Sequence, residues 1–385
     1  MRTLGFSELA SSDVEFRGAL ALDFRERGIS PRRLPDWTRM QLPQLLDVMV
    51  RMPSGVRLAF TTTSTTVELN VLTTRIVVEG QRPRPAVFDL AVDGAEPVSR
   101  AVDGGNLIVT YPERPGEFEV QRGEPCRVTF DRLPAGTKHC QLWLPANAYV
   151  EVRSVGIDDE ASLSGPPPAE RTWVHYGSSI SHCMEADRPT GTWPAVAARL
   201  AGYELVNLGF GGQCHLDQFV ARTIRELSAD LVSIKVGINI ANMDSMRERV
   251  FAPSLHGFLD TVRERRPDTP ILLVSPIYCP SAENHPGPTI PAASGKFVTI
   301  PGFEEIRTGC LTLVRMREII ADVVAKRVAA GDRRLQYLDG LELFSSADAA
   351  DLPDDLHPNP AGYARMGQRF ADRVFSEGGL LSRLS

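Results

Sequence analysis

Ser164-Gly165-Pro166-Pro167-Pro168, followed shortly by Trp173-Val174-His175-Tyr176-Gly177, is the stretch on which the reading of the fold turns. Consecutive prolines lack N–H donors and favour an extended backbone, so this run predicts a stiff linker. Before it lie short β-type runs: Val56 to Phe60, Thr65 to Leu72, Arg75 to Val78, Val87 to Val92, Leu107 to Tyr111, Arg127 to Phe130, Gln141 to Leu144 and Tyr149 to Val155. Many alternate apolar and polar residues, as in Val67, Leu69, Val71 and in Phe88, Leu90, Val92, the pattern of a sheet with one buried face. Turn signals such as Asp93-Gly94 and Asp103-Gly104-Gly105 separate them at the spacing of an antiparallel sandwich or jelly roll.

After the prolines the rhythm changes. Trp173 to Tyr176, Glu204 to Asn207, Leu231 to Val236, Ile271 to Ser275 and Leu335 to Leu338 read as buried strands. Helical periodicity occupies Trp193 to Leu200, Leu216 to Leu227, Ser254 to Arg265, Phe303 to Ala330 and Ala361 to Phe375. Strands alternating with helices imply an α/β domain, a parallel sheet flanked by helices in three layers. The expected organisation is therefore an all-β sandwich over residues 1–163, a Pro-rich linker over 164–170 and an α/β domain over 171–385.

Composition fits two folded domains. The 385 residues are 43% apolar and 23% charged, too apolar for intrinsic disorder, and they exceed the roughly 100–200 residues of one typical domain. The formal net charge of −6 argues against a nucleic-acid partner, which clustered basic residues would serve. No apolar run approaches the ~18 residues of a membrane span. Glu8, Asp13 and Glu15 behind Met1 do not make a signal peptide, so a cytoplasmic location is expected. The six scattered cysteines lack metal-ligand spacing and read as free thiols, with no metal site.

Four short segments hold residue types that carry chemistry. Gly177-Ser178-Ser179-Ile180-Ser181 follows a strand and sets serines at the mouth where parallel sheets bind ligands, though a Ser-rich turn or helix cap has the same sequence. It is not a Gly-x-Ser-x-Gly elbow, because Ser181 occupies the second glycine position. Asn207-Leu208-Gly209-Phe210-Gly211-Gly212 lacks the third glycine of a dinucleotide fingerprint, since Cys214 stands there, and leaves a turn able to present a bare N–H. Gly237-Ile238-Asn239 offers a side-chain amide after another strand, or merely an Asx turn. In Asp354-Asp355-Leu356-His357-Pro358-Asn359-Pro360 a carboxylate three residues before a histidine can curl back onto Nδ1 and leave Nε2 as a base.

Taken in that order, the four segments resemble the conserved blocks of the SGNH (GDSL-type) hydrolase family across residues 172 to 376. The resemblance implies a flavodoxin-like three-layer domain in which Ser179 is the nucleophile and Asp354 and His357 complete the triad. It also implies an oxyanion hole of the Ser179 N–H, Gly212 and Asn239. Two positions depart from the pattern: Ser178 replaces the usual Asp before the nucleophile, and Ile240 replaces the usual Asp after the third-block asparagine. The whole layout is similar to bacterial members with an N-terminal sandwich like a carbohydrate-binding module. Among these it looks most like GDSL-type salicyloyl acyltransferases of tetracycline biosynthesis.

The expectation is thus a serine acyl-transfer enzyme without a cofactor, moving an acyl group from a CoA thioester to a hydroxyl of a polyketide or glycoside natural product. Its partners are a small-molecule acyl donor and a hydroxyl acceptor, with no nucleic acid and no membrane. An O-acyl esterase is the alternative, and a glycan-binding protein with a spent site a further one. Other expectations are structural. His175 reads as a packed strand residue, Trp193 as a core anchor, and Trp37, Trp143 and Tyr149 as core aromatics rather than ring-stacking platforms. His182 and His215 are expected to add polarity to the pocket. The Pro- and Gly-rich stretch from Cys279 to Gly302, which holds His285, is either a substrate-shaping loop or a plain surface excursion.

Overall fold

The computed structural model describes residues 1–111, 113, 114, 116–300 and 307–383. It divides into two compact units: Met1–Arg39, Asp47–Ala169 and Asp187–Thr190 form one, and Met40–Leu46, Glu170–Ala186 and Gly191–Ser385 form the other.

The first unit is a β-sandwich. One sheet runs, edge to edge, through Phe118–Gln121, Asn106–Thr110, Val67–Val78, Ala148–Ile157, Ile29–Arg32 and Ala21–Phe24. The other runs through Leu163–Ser164, Arg57–Thr62, Lys138–Trp143, Ala86–Val92 and Val98–Val102. Leu69 and Val71 from the first sheet and Leu58, Phe60, Phe88, Leu90 and Leu142 from the second make a common core. Burying side chains of this kind contributes about 1.5–3 kcal/mol each. Val67–Val78 is one unbroken strand of strict buried and half-buried alternation, where the sequence suggested two. Its pairing with Asn106–Thr110 is parallel, a departure from the antiparallel expectation. The first 50 residues also contribute strands at Arg2–Gly5, Glu15–Arg17, Ala21–Phe24 and Ile29–Arg32, too short and polar to register as periodic runs. Trp143 is buried, with the Arg57 guanidinium 4.6 Å from its ring centroid. Trp37, by contrast, is 41% exposed and lies outside the core. Buried Asp89 accepts hydrogen bonds from the Ser99 hydroxyl and from the N–H and hydroxyl of Thr190, tying Asp187–Thr190 into this unit.

The second unit is the three-layer α/β fold. Five parallel strands lie in the order Glu204–Gly209, Thr172–Gly177, Leu231–Lys235, Ile271–Val274 and Leu335–Leu338. The three central ones are buried almost throughout. Trp193–Ala201 packs with Pro360–Phe370, and Glu248–Arg263 packs with both Gln218–Glu226 and Leu313–Ala329. The Glu248–Arg263 helix begins six residues before the expected start at Ser254: Pro253 lies inside it, and Phe251, Leu255, Phe258 and Leu259 bury its apolar side. The helix expected from Phe303 begins at Leu313, capped by Thr312, whose hydroxyl accepts from the Arg315 N–H. Of that expectation, Phe303 to Ile306 lie outside the described residues.

Trp173 stacks on Phe370 at 4.8 Å, and Trp193 tilts against both, which fixes the last helix beside the first strand. All six cysteines are free thiols. Among the described residues no helix is long and apolar enough to cross a membrane, and no group of three His, Cys, Asp or Glu side chains is placed to hold a metal ion.

Candidate active site

The first three sequence segments leave from the ends of the parallel strands Thr172–Gly177, Glu204–Gly209 and Leu231–Lys235, and the fourth follows the short helical turn Ser346–Asp351. Gly177 and Gly209 are register partners at the ends of their strands. A Cβ on Gly177 would meet the Ser181 hydroxyl at 2.3 Å, and one on Gly209 would meet the Ser181 backbone at 2.5 Å. Only glycine lets the short helix Ser179–His182 sit directly on the two strand ends. Ser178 caps that helix, its hydroxyl accepting the Ile180 N–H, which is the local use of the residue that departs from the family pattern. Trp193 anchors the same turn from the next helix, donating its indole N–H to the Ile180 carbonyl at 2.8 Å.

Ser179 therefore starts a helix at the sheet mouth, and His357 reaches it from a late loop. His357 Nε2 lies 3.0 Å from Ser179 Oγ, and His357 Nδ1 lies 2.7 Å from Asp354 Oδ2. The other oxygen of Asp354 accepts the backbone N–H groups of Leu356 and His357 at 2.9 and 2.6 Å. This tight curl requires the positive φ of 62° at Asp355, a residue type that tolerates the left-handed region. The structure thus brings Ser179, His357 and Asp354 into one hydrogen-bonded chain.

The electrostatics of the chain favour a charged pair. Burial works to raise the Asp354 pKa, but the hydrogen bond and charge of His357, with the two backbone donors, hold it below the usual carboxylate range. Burial works to lower the His357 pKa, and the negative charge of Glu185, then the hydrogen bond and charge of Asp354, outweigh it, so the net shift is upward. Glu185 was not among the sequence candidates. It lies six residues past Ser179 and accepts a hydrogen bond from the buried Tyr363 hydroxyl at 2.8 Å.

Three donors of the first three segments have no acceptor among the described residues. They are the N–H of Ser179, the N–H of Gly212 and the side-chain Nδ2 of Asn239. Asn239 Oδ1 accepts the Cys214 N–H at 3.0 Å. That bond fixes the amide with its NH₂ directed elsewhere and ties the third segment to the second. Gly212 has a φ of 68°, and nothing lies within 4 Å of where its side chain would begin. Ile240, the second departure, is fully buried beside Asn239 in the helix Ile238–Met243.

The remaining histidines separate cleanly. His175 is fully buried in the first strand, bonded to the Ser233 and Ser181 hydroxyls, both at 2.7 Å, and takes no part in the chain. His182 is buried, and His215 Nδ1 lies 2.9 Å from the Ser245 hydroxyl.

The long stretch after Cys279 forms a hairpin, Thr289–Pro291 with Phe297–Thr299, fastened to the Asp354 loop. The Phe297 N–H donates to the Asp354 carbonyl at 2.9 Å, and Lys296 pairs with the Asp355 carboxylate at 3.0 Å. The Phe297 ring stands edge-on to His357 with centroids 5.7 Å apart. Pro301 and Gly302, the end of that stretch, lie outside the described residues. Phe297 and Glu185 are absent from any periodic pattern; the one signal for Glu185 is that it is the first carboxylate after the nucleophile segment.

With this geometry in view, comparison with known proteins is decisive for the class. Residues 175–365 match the model of the GDSL-like Lipase/Acylhydrolase family. Among solved structures, the salicylyl-acyltransferase SsfX3 from a tetracycline biosynthetic pathway is similar over 96% of this chain and 95% of its own, with a TM-score of 0.78 and 28% identity. A GDSL-like lipase from Bacteroides ovatus matches over 96% and 95%, with a TM-score of 0.66 and 17% identity. A family two carbohydrate esterase from Clostridium thermocellum, solved with cellohexaose, matches over 93% and 97%, with a TM-score of 0.58 and 15% identity. The last two likenesses are of fold. No curated protein matches by sequence. The α/β unit belongs to the GDSL-like lipase/acylhydrolase family, and the protein is an enzyme of that acyl-transferring, ester-cleaving class.

Proposed function

We propose that this enzyme is an O-acyltransferase working through an acyl-Ser179 intermediate, with His357 as base and Asp354 as its orienting carboxylate. The observation that carries the reading is the chain from Ser179 Oγ through His357 to Asp354, at 3.0 and 2.7 Å. Ser179 Oγ attacks the thioester carbonyl of an acyl-CoA while its proton passes to His357 Nε2. The carbonyl oxygen gains the negative charge and is met by the donors of Ser179, Gly212 and Asn239. Collapse breaks the carbon–sulfur bond, and the imidazolium returns its proton to the leaving thiolate. The acceptor hydroxyl then gives its proton to Nε2, attacks the acyl-serine and leaves as the ester, restoring the Ser179 hydroxyl. Every proton returns, so the cycle needs no cofactor beyond the donor as substrate.

Support for transfer over hydrolysis comes from the likeness across the whole chain to SsfX3, a salicylyl-acyltransferase from a tetracycline biosynthetic pathway. An aromatic acyl group and a hydroxyl on a polyketide or glycoside natural product are the donor and acceptor proposed on that ground. The second reading, an O-acyl esterase, draws on the shared fold with the carbohydrate esterase.

One experiment separates them. The protein is incubated with salicyl-, benzoyl- and acetyl-CoA and with activated esters, its intact mass is followed, and alcohol acceptors are then added. The expected result is an acyl adduct in the wild type, absent in Ser179→Ala, and discharged faster by an alcohol than by water. Discharge by water alone favours the esterase, and the absence of both adduct and turnover with every donor overturns both readings.

A further inference from the structure

The segment behind the nucleophile and the helix behind the base are joined by one buried hydrogen bond. Ser179 is followed six residues later by Glu185, and His357 is followed six residues later by Tyr363. The Tyr363 hydroxyl, fully buried in Pro360–Phe370, donates to Glu185 at 2.8 Å. The two halves of the catalytic pair come from positions 178 residues apart in the chain, and this bond spans the same 178.

We propose that Glu185 is a positioning residue of the reaction: clasped by Tyr363, it fastens the nucleophile segment to the helix that follows the base and sets a second carboxylate within electrostatic reach of the His357 imidazole. The inference rests on the acyl-serine reading above. The charged groups that act on His357 are Asp354 and Glu185. Its own loop supplies Asp354 and Asp355, the latter neutralised by Lys296 of the hairpin. The Cys183 thiol and the Tyr363 phenol interact with Glu185. Burial holds both Cys183 and Tyr363 in their neutral forms. Besides Asp354, the charge of Glu185 supports the upward shift of the His357 pKa.

A carboxylate in this place stabilises the imidazolium that forms when Ser179 gives up its proton, without touching Nδ1 or Nε2. It also moves the acid limb of activity upward, because the base must be neutral to accept that proton. An ordinary structural hydrogen bond predicts lost activity at every pH with no movement of the limb.

The test is a pair of variants read by two methods. The His357 ring proton is titrated by NMR, its signal identified by its absence from His357→Gln, and kcat/KM is followed between pH 5 and 9. Glu185→Gln is expected to lower the His357 pKa and the acid limb together by about half to one pH unit. Its plateau rate is expected to fall about three- to tenfold. Tyr363→Phe keeps the charge and releases the clasp, so kcat is expected to fall severalfold at unchanged KM. An unmoved His357 pKa in a folded Glu185→Gln overturns the proposal. If Glu185→Gln does not fold, an unchanged kcat in Tyr363→Phe overturns it instead. Failure of the acyl-serine reading shows separately, as a wild type with no Ser179 adduct whose His357 pKa nevertheless moves in Glu185→Gln.

Discussion

Two serines two residues apart each meet a histidine, and the two pairs behave in opposite ways. Ser181 bonds His175 Nε2 at 2.7 Å in the sheet interior, and Ser179 faces His357 Nε2 at 3.0 Å on the mouth of the same sheet. His175 has Ser233 on its other nitrogen, and burial followed by the charge of the nearby Lys235 pushes its pKa down to about 3. Lys235 is itself buried and pushed down to about 8. His357 has Asp354 on its other nitrogen and Glu185 in reach, and its pKa is raised. Distance and partner type are nearly the same, so neither makes a base. What differs is the carboxylate behind the ring, without which a buried imidazole stays neutral and cannot take a proton.

The largest expected effect breaks the symmetry between the serines. Ser179→Ala is expected to lower kcat/KM by about 10⁴ or more, as loss of a nucleophile does, and Ser181→Ala by less than about tenfold. Steady-state assays of the two variants with one activated ester provide the measurement. A Ser181→Ala loss equal to that of Ser179→Ala would place both pairs in the chemistry and dissolve the distinction. Asp354→Asn follows in size, with an expected loss of about 10³–10⁴, because the ring loses its tautomer and its counter-charge together.

Much of this arrangement was legible from local sequence. Ser179, Asn239, Asp354 and His357 each sit in a short segment whose position after a strand or in a late turn already suggests a shared edge. The curl of Asp354 onto His357 is a three-residue event and needs no tertiary information. Glu185, Tyr363 and Phe297 were hidden for the converse reason: each acts across a long separation, and Tyr363 reads simply as an apolar member of its helix. The short strands before residue 35 were hidden too. They earn their place by pairing with Ala148–Ile157 and Arg57–Thr62, partners a local pattern does not reveal.

The next prediction sharpens the comparison through stability. The folded pKa of His175 lies near 3, below its unfolded value near 6.5, so between those values the unfolded chain binds a proton the folded chain does not. Stability therefore falls as pH falls across that window, by about 1.4 kcal/mol per unit from this residue. His357 has the opposite sign: its raised folded pKa stabilises fully below about 6.5 and the contribution fades as pH rises through the folded value. Urea unfolding between pH 6.5 and 5, above the carboxylate range, isolates the first effect. His175→Phe is expected to be less stable at pH 7, with the Ser181 hydroxyl losing its His175 partner and Ser233 keeping only the Trp173 indole N–H, but to show a flatter slope. An unchanged slope would mean that His175 is protonated in the folded protein after all.

The smallest expected effect concerns the ring beside the working pair. Phe297→Ala deletes the edge-on contact with His357 but keeps the backbone bond from residue 297 to the Asp354 carbonyl. Aromatic contacts of this geometry contribute about 0.5–1.5 kcal/mol, so kcat is expected to fall about two- to twelvefold with the acid limb unmoved. The reason is that Asp354, not the ring, supplies both the hydrogen bond and the charge that orient the imidazole. A loss beyond about a hundredfold would reverse that assignment: packing would then be what holds His357 ready, and the carboxylate behind it would no longer be what separates this pair from His175 and Ser181.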